Sequence, residues 1–254
     1  VGIVLAFALG IGANATMYAT VERLLLRPPE HIENPEGVRR LLVHRDHGFG
    51  RQVHGSTIAY PDFTDFARTS GFSHVSAMDQ REVTLGRGES AERVNGTFVH
   101  GNWWEMLGVE PALGRFFTAE EDRFGGERVV VLSHRRWQSA HGGRADVIGE
   151  QIDFGYGAFT IIGVAPEGFT GIDLEPVDFF APFMVAGELM QGGTEWAEER
   201  GWWWLSAVAR IAPGVSVEAV EAEATTHHRA GRADAESYAR NARIVAAPLL
   251  AAQG

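Results

Sequence analysis

Three groups of residues in this chain have the chemistry for catalysis or metal binding. Ser133 and His134 are a hydroxyl and an imidazole side by side. A serine nucleophile needs a base within hydrogen-bond reach that a third group orients, and adjacent residues seldom provide that geometry. No G-x-S-x-G elbow surrounds Ser133, so it reads as the N-cap of a helix carrying Trp137. His227 and His228 are also adjacent. On a helix their side chains point about 100° apart, which prevents them from easily sharing one ion. Neither H-E-x-x-H nor H-x-x-x-H occurs. Asp62 with Asp65, and Glu120-Glu121-Asp122, lie near predicted helix starts. There they complement the helix dipole as solvated carboxylates, since a hydrolytic pair needs opposed positions around a cleft. Asn95-Gly96-Thr97 fits a glycosylation sequon, but carries little weight alone.

Composition removes further chemistries. All 22 basic residues are Arg, so no Lys can reach nucleotide phosphates from a P-loop or form a Schiff base. With no Cys there is no disulfide, thiolate nucleophile or Cys-based zinc site. A formal charge of −11 repels phosphate backbones and argues against nucleic-acid partners. We therefore expect no catalytic, cofactor-binding or metal-binding residues. One motif points the other way. Gly10-Ile11-Gly12-Ala13-Asn14-Ala15 matches the dinucleotide fingerprint G-x-G-x-x-G/A, with Glu30 and Glu33 near the ribose-binding spacing. The following Pro-, Glu- and Arg-rich stretch, 28–40, occupies the place of a second apolar strand.

The elements that would position these residues begin with Val1–Val21, which carries no charged side chain. As a helix it would be about 30 Å long, one hydrocarbon thickness, and we expect it to lie in a lipid bilayer. A signal peptide cleaved near Ala13-Asn14-Ala15 and a buried core helix are the alternatives. Beyond it, Arg40–Arg45 reads as a strand. A helix opens at Tyr60, with Pro61 in its first turn and Phe63 and Phe66 on one face. Strands are expected at Val75–Leu85 and Glu92–Val99, a short helix at Asn102–Leu107, and a buried strand at Glu127–Leu132. A hairpin is expected from Gln151–Phe154 and Ala158–Val164, and Asp178–Phe183 leads into a loop. Trp202–Ile211 reads as a strand with Trp202 and Trp204 on one face and Trp203 on the other, where an exposed ring would mark a partner surface. Ser216 caps a helix with Val217, Val220 and Ala224 on one face, and Ile244–Leu249 is the last strand. Irregular interleaving of strands and helices gives an α+β class with a mixed or antiparallel sheet.

Six stretches, in order, resemble the MacB-like periplasmic core domain of ABC-type permeases, with the acidobacterial duplicated orphan permeases as the nearest likeness. They are Ala8–Pro28, Tyr60–Ala77, Glu92–Asp122, Val129–Gly143, Val147–Phe169 and Trp203–Glu223. The resemblance implies a transmembrane helix over residues 1–27 that leads into a two-lobed extracytoplasmic domain. One lobe, 36–97 with 177–245, would be porter-like, and 98–176 would be an inserted lobe. It implies an inner-membrane permease piece that couples membrane-helix movement to export or signalling without its own catalysis. The partners would be a separate ATP-binding subunit and a second permease copy or periplasmic adaptor. The first residue is Val rather than Met, which fits a fragment or processed form. The alternatives are a single-helix-anchored binding or sensing module and a nucleotide-dependent enzyme.

Overall fold

A computed structural model describes residues 31–46, 52–88, 91–173, 175–232 and 241–249. The apolar segment 1–21 and its G-x-G-x-x-A motif lie outside them. Among the described residues no helix is long and apolar enough to cross a membrane.

The strands are β1 (Val38–Asp46), β2 (Gln52–Gly55), β3 (Phe72–Leu85), β4 (Glu92–Val99), β5 (Leu113–Gly114), β6 (Val129–Leu132), β7 (Gln151–Phe154), β8 (Gly157–Val164), β9 (Phe179–Pro182), β10 (Ser206–Ile211) and β11 (Arg243–Pro248). The helices are α1 (Tyr60–Phe66), α2 (Trp103–Leu107), α3 (His134–His141), α4 (Phe183–Gln191) and α5 (Val217–Gly231). All the strands join one sheet in the order β11-β1-β10-β3-β4-β9-β6-β8-β5. β2 extends from β1, and β7 bridges β3 and β8. β4–β9 and β6–β8 are parallel, and the other pairs are antiparallel.

Period-2 alternation places a core on each face of the sheet. Ala77, Phe98, Val130, Leu132, Phe179, Ala207 and Ala209 face one core, while Met78, Val99, Val129, Val131, Phe180 and Val208 face the other. Both faces are covered, so the central strands are continuous apolar runs, VVVL in β6 and FFAP in β9. Burying each large side chain contributes about 1.5–3 kcal/mol. The first face packs α1, α4 and α5, through Phe63, Phe66, Phe183, Val220 and Ala224. The second packs α2, through Trp103, Trp104, Met106 and Leu107.

Two expected elements differ. Phe179–Pro182 pairs in parallel with β4, and the chain passes directly into α4 rather than a loop. The Phe-rich run is buried on both sides, so it lacks the alternation that marks a half-buried strand. The strand expected from Trp202 begins at Ser206. Trp202 and Trp203 are both exposed, whereas Trp204 turns inward and stacks on Phe183 at 5.0 Å.

The sheet has two distinct ends. At one, which we call proximal, Val38 pairs with Arg210 and Arg39 with Pro248, so the first described strand begins where the last ends. Arg210 fastens residues 33–34 there, donating to the carbonyls of Glu33, Asn34 and Met106. At the other, distal end lie the β1–β2 pairing and the bridge of Ile58 to Leu205.

Candidate functional site

A dense charge cluster sits at the distal end, between α1, α5 and the 192–205 connection. Asp62 and Asp65, one helical turn apart on α1, are 0 % and 1 % exposed. This corrects the reading of both as solvated dipole partners. Asp62 does serve the helix start, because Oδ2 accepts the Ala59 N–H at 3.2 Å. Its main partners, however, are cations brought from far along the chain. Arg232, just past α5, donates through Nε to Oδ1 at 2.9 Å and through Nη2 to Oδ2 at 2.6 Å, a bidentate fork. Arg200 Nη1 spans Asp62 Oδ1 at 3.1 Å and Asp65 Oδ2 at 2.7 Å. Arg68 adds a longer contact to Asp65 at 3.5 Å.

His228 completes the cluster. It is fully buried, packs on Phe66 at 5.7 Å, and holds Nδ1 3.5 Å from Asp62 Oδ1. Neither ring nitrogen makes a hydrogen bond within the normal range. Burial pushes its pKa down to about 4, and Arg232, Arg45 and Arg200 add to this against the pull of Asp62. His228 is therefore neutral at pH 7. His227, its neighbour, turns outward toward Glu223 at 3.6 Å, so the two do point apart.

Trp203 covers the cluster from outside. Its Nε1 donates to the Arg200 carbonyl at 2.6 Å, and the guanidinium carbons of Arg45 and Arg232 lie 4.3 and 5.9 Å from its ring centroid. These are cation–π distances. Gly231 is required beside it, since a Cβ there would overlap Asp65 and Arg200.

Asp62, Asp65 and His228 could each turn a ligand atom toward one point, within 4.8 Å of one another. The cluster nevertheless does not fit a metal ion. Both Asp62 oxygens and the inner oxygen of Asp65 are already occupied by guanidinium donors. The two carboxylates already face guanidinium groups. A divalent cation would sit against Arg200 and Arg232, at a Coulombic cost the low-dielectric interior magnifies.

Of the acidic triplet, Glu121 pairs bidentately with Arg115, at 2.8 Å through each oxygen. Asp122 is buried, which corrects its reading as solvated. It accepts the Gly101 N–H at 2.9 Å and the Met184 N–H at 2.6 Å, and so caps α4, whose own N-cap residue Pro182 has no polar side chain. Desolvation raises its pKa to about 6, against His100 and the backbone donors.

Ser133 is a helix cap, its Oγ accepting the Arg136 N–H at 3.1 Å. His134 instead packs edge-on against Trp137, its ring centroid 5.3 Å away. The sequon lies inside β4 with the Thr97 hydroxyl buried. Among the described residues, one open depression of about 510 Å³ lies beside Trp104, Glu110 and Phe116, and another of about 740 Å³ beside His134, Arg135 and Glu167.

Solved structures share this architecture. The periplasmic region of MacB from Actinobacillus actinomycetemcomitans matches with a TM-score of 0.59 at 18% identity, over 84% of this chain and 92% of that one. The extracellular domain of the noncanonic ABC-type transporter YknZ from Gram-positive bacteria matches with 0.59 at 14% identity, over 82% and 99%. A domain of a putative permease protein from Porphyromonas gingivalis matches with 0.56 at 16% identity, over 87% and 92%. No curated protein sequence matches. The model of the MacB-like periplasmic core domain matches residues 1–227, and the chain belongs to that family.

Proposed function

We propose that the chain is an extracytoplasmic domain of an ABC-type permease that passes membrane-helix movement to an export or signalling partner. The family match over residues 1–227 carries this reading. The proximal end supports it, because β1 begins beside the end of β11, as a domain set between membrane helices requires. In this reading residues 1–21 cross the bilayer and place the folded part on the periplasmic side. Residues 36–97 with 177–245 form a porter-like lobe, and 98–176 an inserted one. A separate ATP-binding subunit drives the movement, and the domain acts as a lever rather than a catalyst. A lever must resist bending, and a sheet with a core on both faces suits that task. The distal charge cluster is spent on clamping helices rather than opened to a ligand.

Carbonate extraction of bacterial membranes, followed by protease treatment of spheroplasts, tests the proposal. The chain is expected to stay with the membrane and to be cut from outside within residues 36–250. Release as a soluble cytoplasmic protein would overturn it. Retention with outside cleavage, but without co-purification of an ATP-binding subunit, would favour an anchored sensing module.

A further inference from the structure

The last turn of α2 does not satisfy its own carbonyls. Gly108 follows it in the left-handed region at φ 70°, and Pro111, four residues beyond Leu107, has no N–H to donate. Two of these carbonyls are met from outside the helix. Leu107 accepts the backbone N–H of Glu33 at 2.8 Å, and Met106 accepts Arg210 Nε at 2.8 Å. The same guanidinium donates through Nη1 to the Asn34 carbonyl at 3.1 Å and through Nη2 to the Glu33 carbonyl at 2.5 Å. One side chain on β10 thus ties residues 33–34 to α2. The approach is close, since a Cβ at Gly108 would overlap Glu33. Ile32 is buried in the second core with Met106 and Leu107, and His31 Nε2 lies 2.6 Å from the Glu167 carbonyl. The stretch is also held against its own preference. His31 and Asn34, at φ 69° and 44°, are the two non-glycine residues with positive φ among the described residues. L side chains seldom enter that region, and surrounding contacts must over-determine it. Residues 31–34 are therefore docked rather than self-supporting.

We propose that residues 31–34 are a strap whose seating, fastened by Arg210, completes α2, so that lifting the strap loosens α2 in the second core while the sheet stays paired. Lifting takes the Glu33 N–H away from Leu107. It also takes two of the three acceptors from Arg210, which then has less to hold it beside Met106. α2 has only five residues, too few to stand on internal hydrogen bonds alone. Its hold on the second core through Trp103, Trp104, Met106 and Leu107 then weakens. The sheet does not depend on the strap, because β1, β3, β4 and β10 pair through backbone bonds in which the Arg210 side chain takes no part. If the transporter reading holds, displacement of the chain before residue 31 enters the fold through this strap and reaches α2 first. The strap itself belongs to the folded chain, so it stands or falls separately from that reading.

The test is residue-resolved amide hydrogen exchange on the 254-residue chain in detergent micelles, native against two variants that release the strap differently. Arg210→Met removes the fastening. Asn34→Ala keeps Arg210 and places at the strap a residue that resists the left-handed region more strongly; the Asn34 side chain makes no capping bond of its own. In both variants the amides of Glu33, Met106 and Gly108 are expected to exchange about tenfold faster, and together, while those of β3 and β4 keep their native rates. Faster exchange at Glu33 with native rates at Met106 and Gly108 would overturn the strap, because α2 would then be holding itself. So would native rates at all three amides in both variants, or an equal loss of protection across β3 and β4. Should Arg210→Met fail to fold, Asn34→Ala decides, since it deletes none of the hydrogen bonds at the strap.

Discussion

The Glu221 carboxylate accepts the backbone N–H of Ala246 at 2.9 Å, so a helix side chain occupies a hydrogen-bonding position on the outer edge of β11. One turn later Thr225 Oγ1 accepts the Ile244 N–H at 3.0 Å, and one turn further Arg229 Nε donates to the Ala242 carbonyl at 2.9 Å. Steps of four along α5 (about 6 Å) match steps of two along a strand (about 6.6 Å), so the helix stands in for a missing neighbour strand. Without such cover an edge strand is a template for pairing with another chain.

Removing the ladder should therefore free the edge. Glu221→Leu with Thr225→Val is expected to cost about 1–3 kcal/mol, one unmet buried donor at a time. The Ile244 and Ala246 amides should exchange faster, and the protein should self-associate on sedimentation. Retained protection of both amides would show that the edge is covered by other means.

A second expectation concerns close approach rather than charge. Gly96 on β4 pairs with Phe179 on β9, and a Cβ at Gly96 would overlap the Phe179 ring. That ring is held against Phe98 and Phe154 and cannot step aside. Gly96→Ala is expected to destabilise by about 2 kcal/mol through overpacking. Gly155, in the β7–β8 turn, has open space around its Cβ position, and Gly155→Ala should leave stability within about 0.5 kcal/mol. Urea unfolding of the two variants side by side measures the contrast.

Much of the fold was legible because local signals and tertiary environment agree. Pro61, Ser133 and Ser216 mark helix starts, the latter two with their hydroxyls accepting the N–H three residues on. The distal cluster was missed, yet a signal for it exists. Val220, Ala224 and His228 repeat every four residues on α5 and Arg232 follows at its C-cap, so the buried stripe runs on through a histidine and an arginine. Polar groups on a buried stripe require partners, and Asp62 with Asp65, one turn apart beside Phe63 and Phe66, supply them. Arg200 could not be found this way, since it lies on an irregular connection with no periodicity to project it inward. Asp122 was hidden for a similar reason: it caps a helix through Met184, 62 residues later.

The Asp62–Arg232 pair gives a third expectation. Both side chains are almost wholly buried, so losing one partner strands the other charge. Asp62→Ala and Arg232→Met are each expected to cost about 3–5 kcal/mol. The double variant Asp62→Ala/Arg232→Met should cost less than the sum of the single changes, because the stranded charge is gone. Arg68, exposed at 67 %, serves as the control, and Arg68→Met should change stability by less than about 1 kcal/mol. Additivity in the double variant, read from chemical unfolding, would show that the two residues act independently.

The last expectation concerns the pH dependence of stability, where Asp122 and His228 carry opposite signs. Burial holds the Asp122 carboxyl at about 6, above its ordinary 3.8. The folded chain then keeps a proton that the unfolded chain has released, so this group's contribution to stability is full below pH 3.8 and is lost as pH rises through 6. His228, held at about 4 against an ordinary 6.5, contributes stability that is full above pH 6.5 and is lost as pH falls through 4. Asp122→Asn removes the first titration while sacrificing one of the two acceptors at Gly101 and Met184. It should therefore be destabilising at low pH and progressively less so toward neutrality, the difference from the native chain shrinking by about 2–3 kcal/mol between pH 4 and pH 7. His228→Gln should show the reverse trend over the same range. Urea midpoints for the native chain and both variants across that window separate the two groups. A constant offset for Asp122→Asn at every pH would mean that the backbone donors, rather than desolvation, govern that carboxyl.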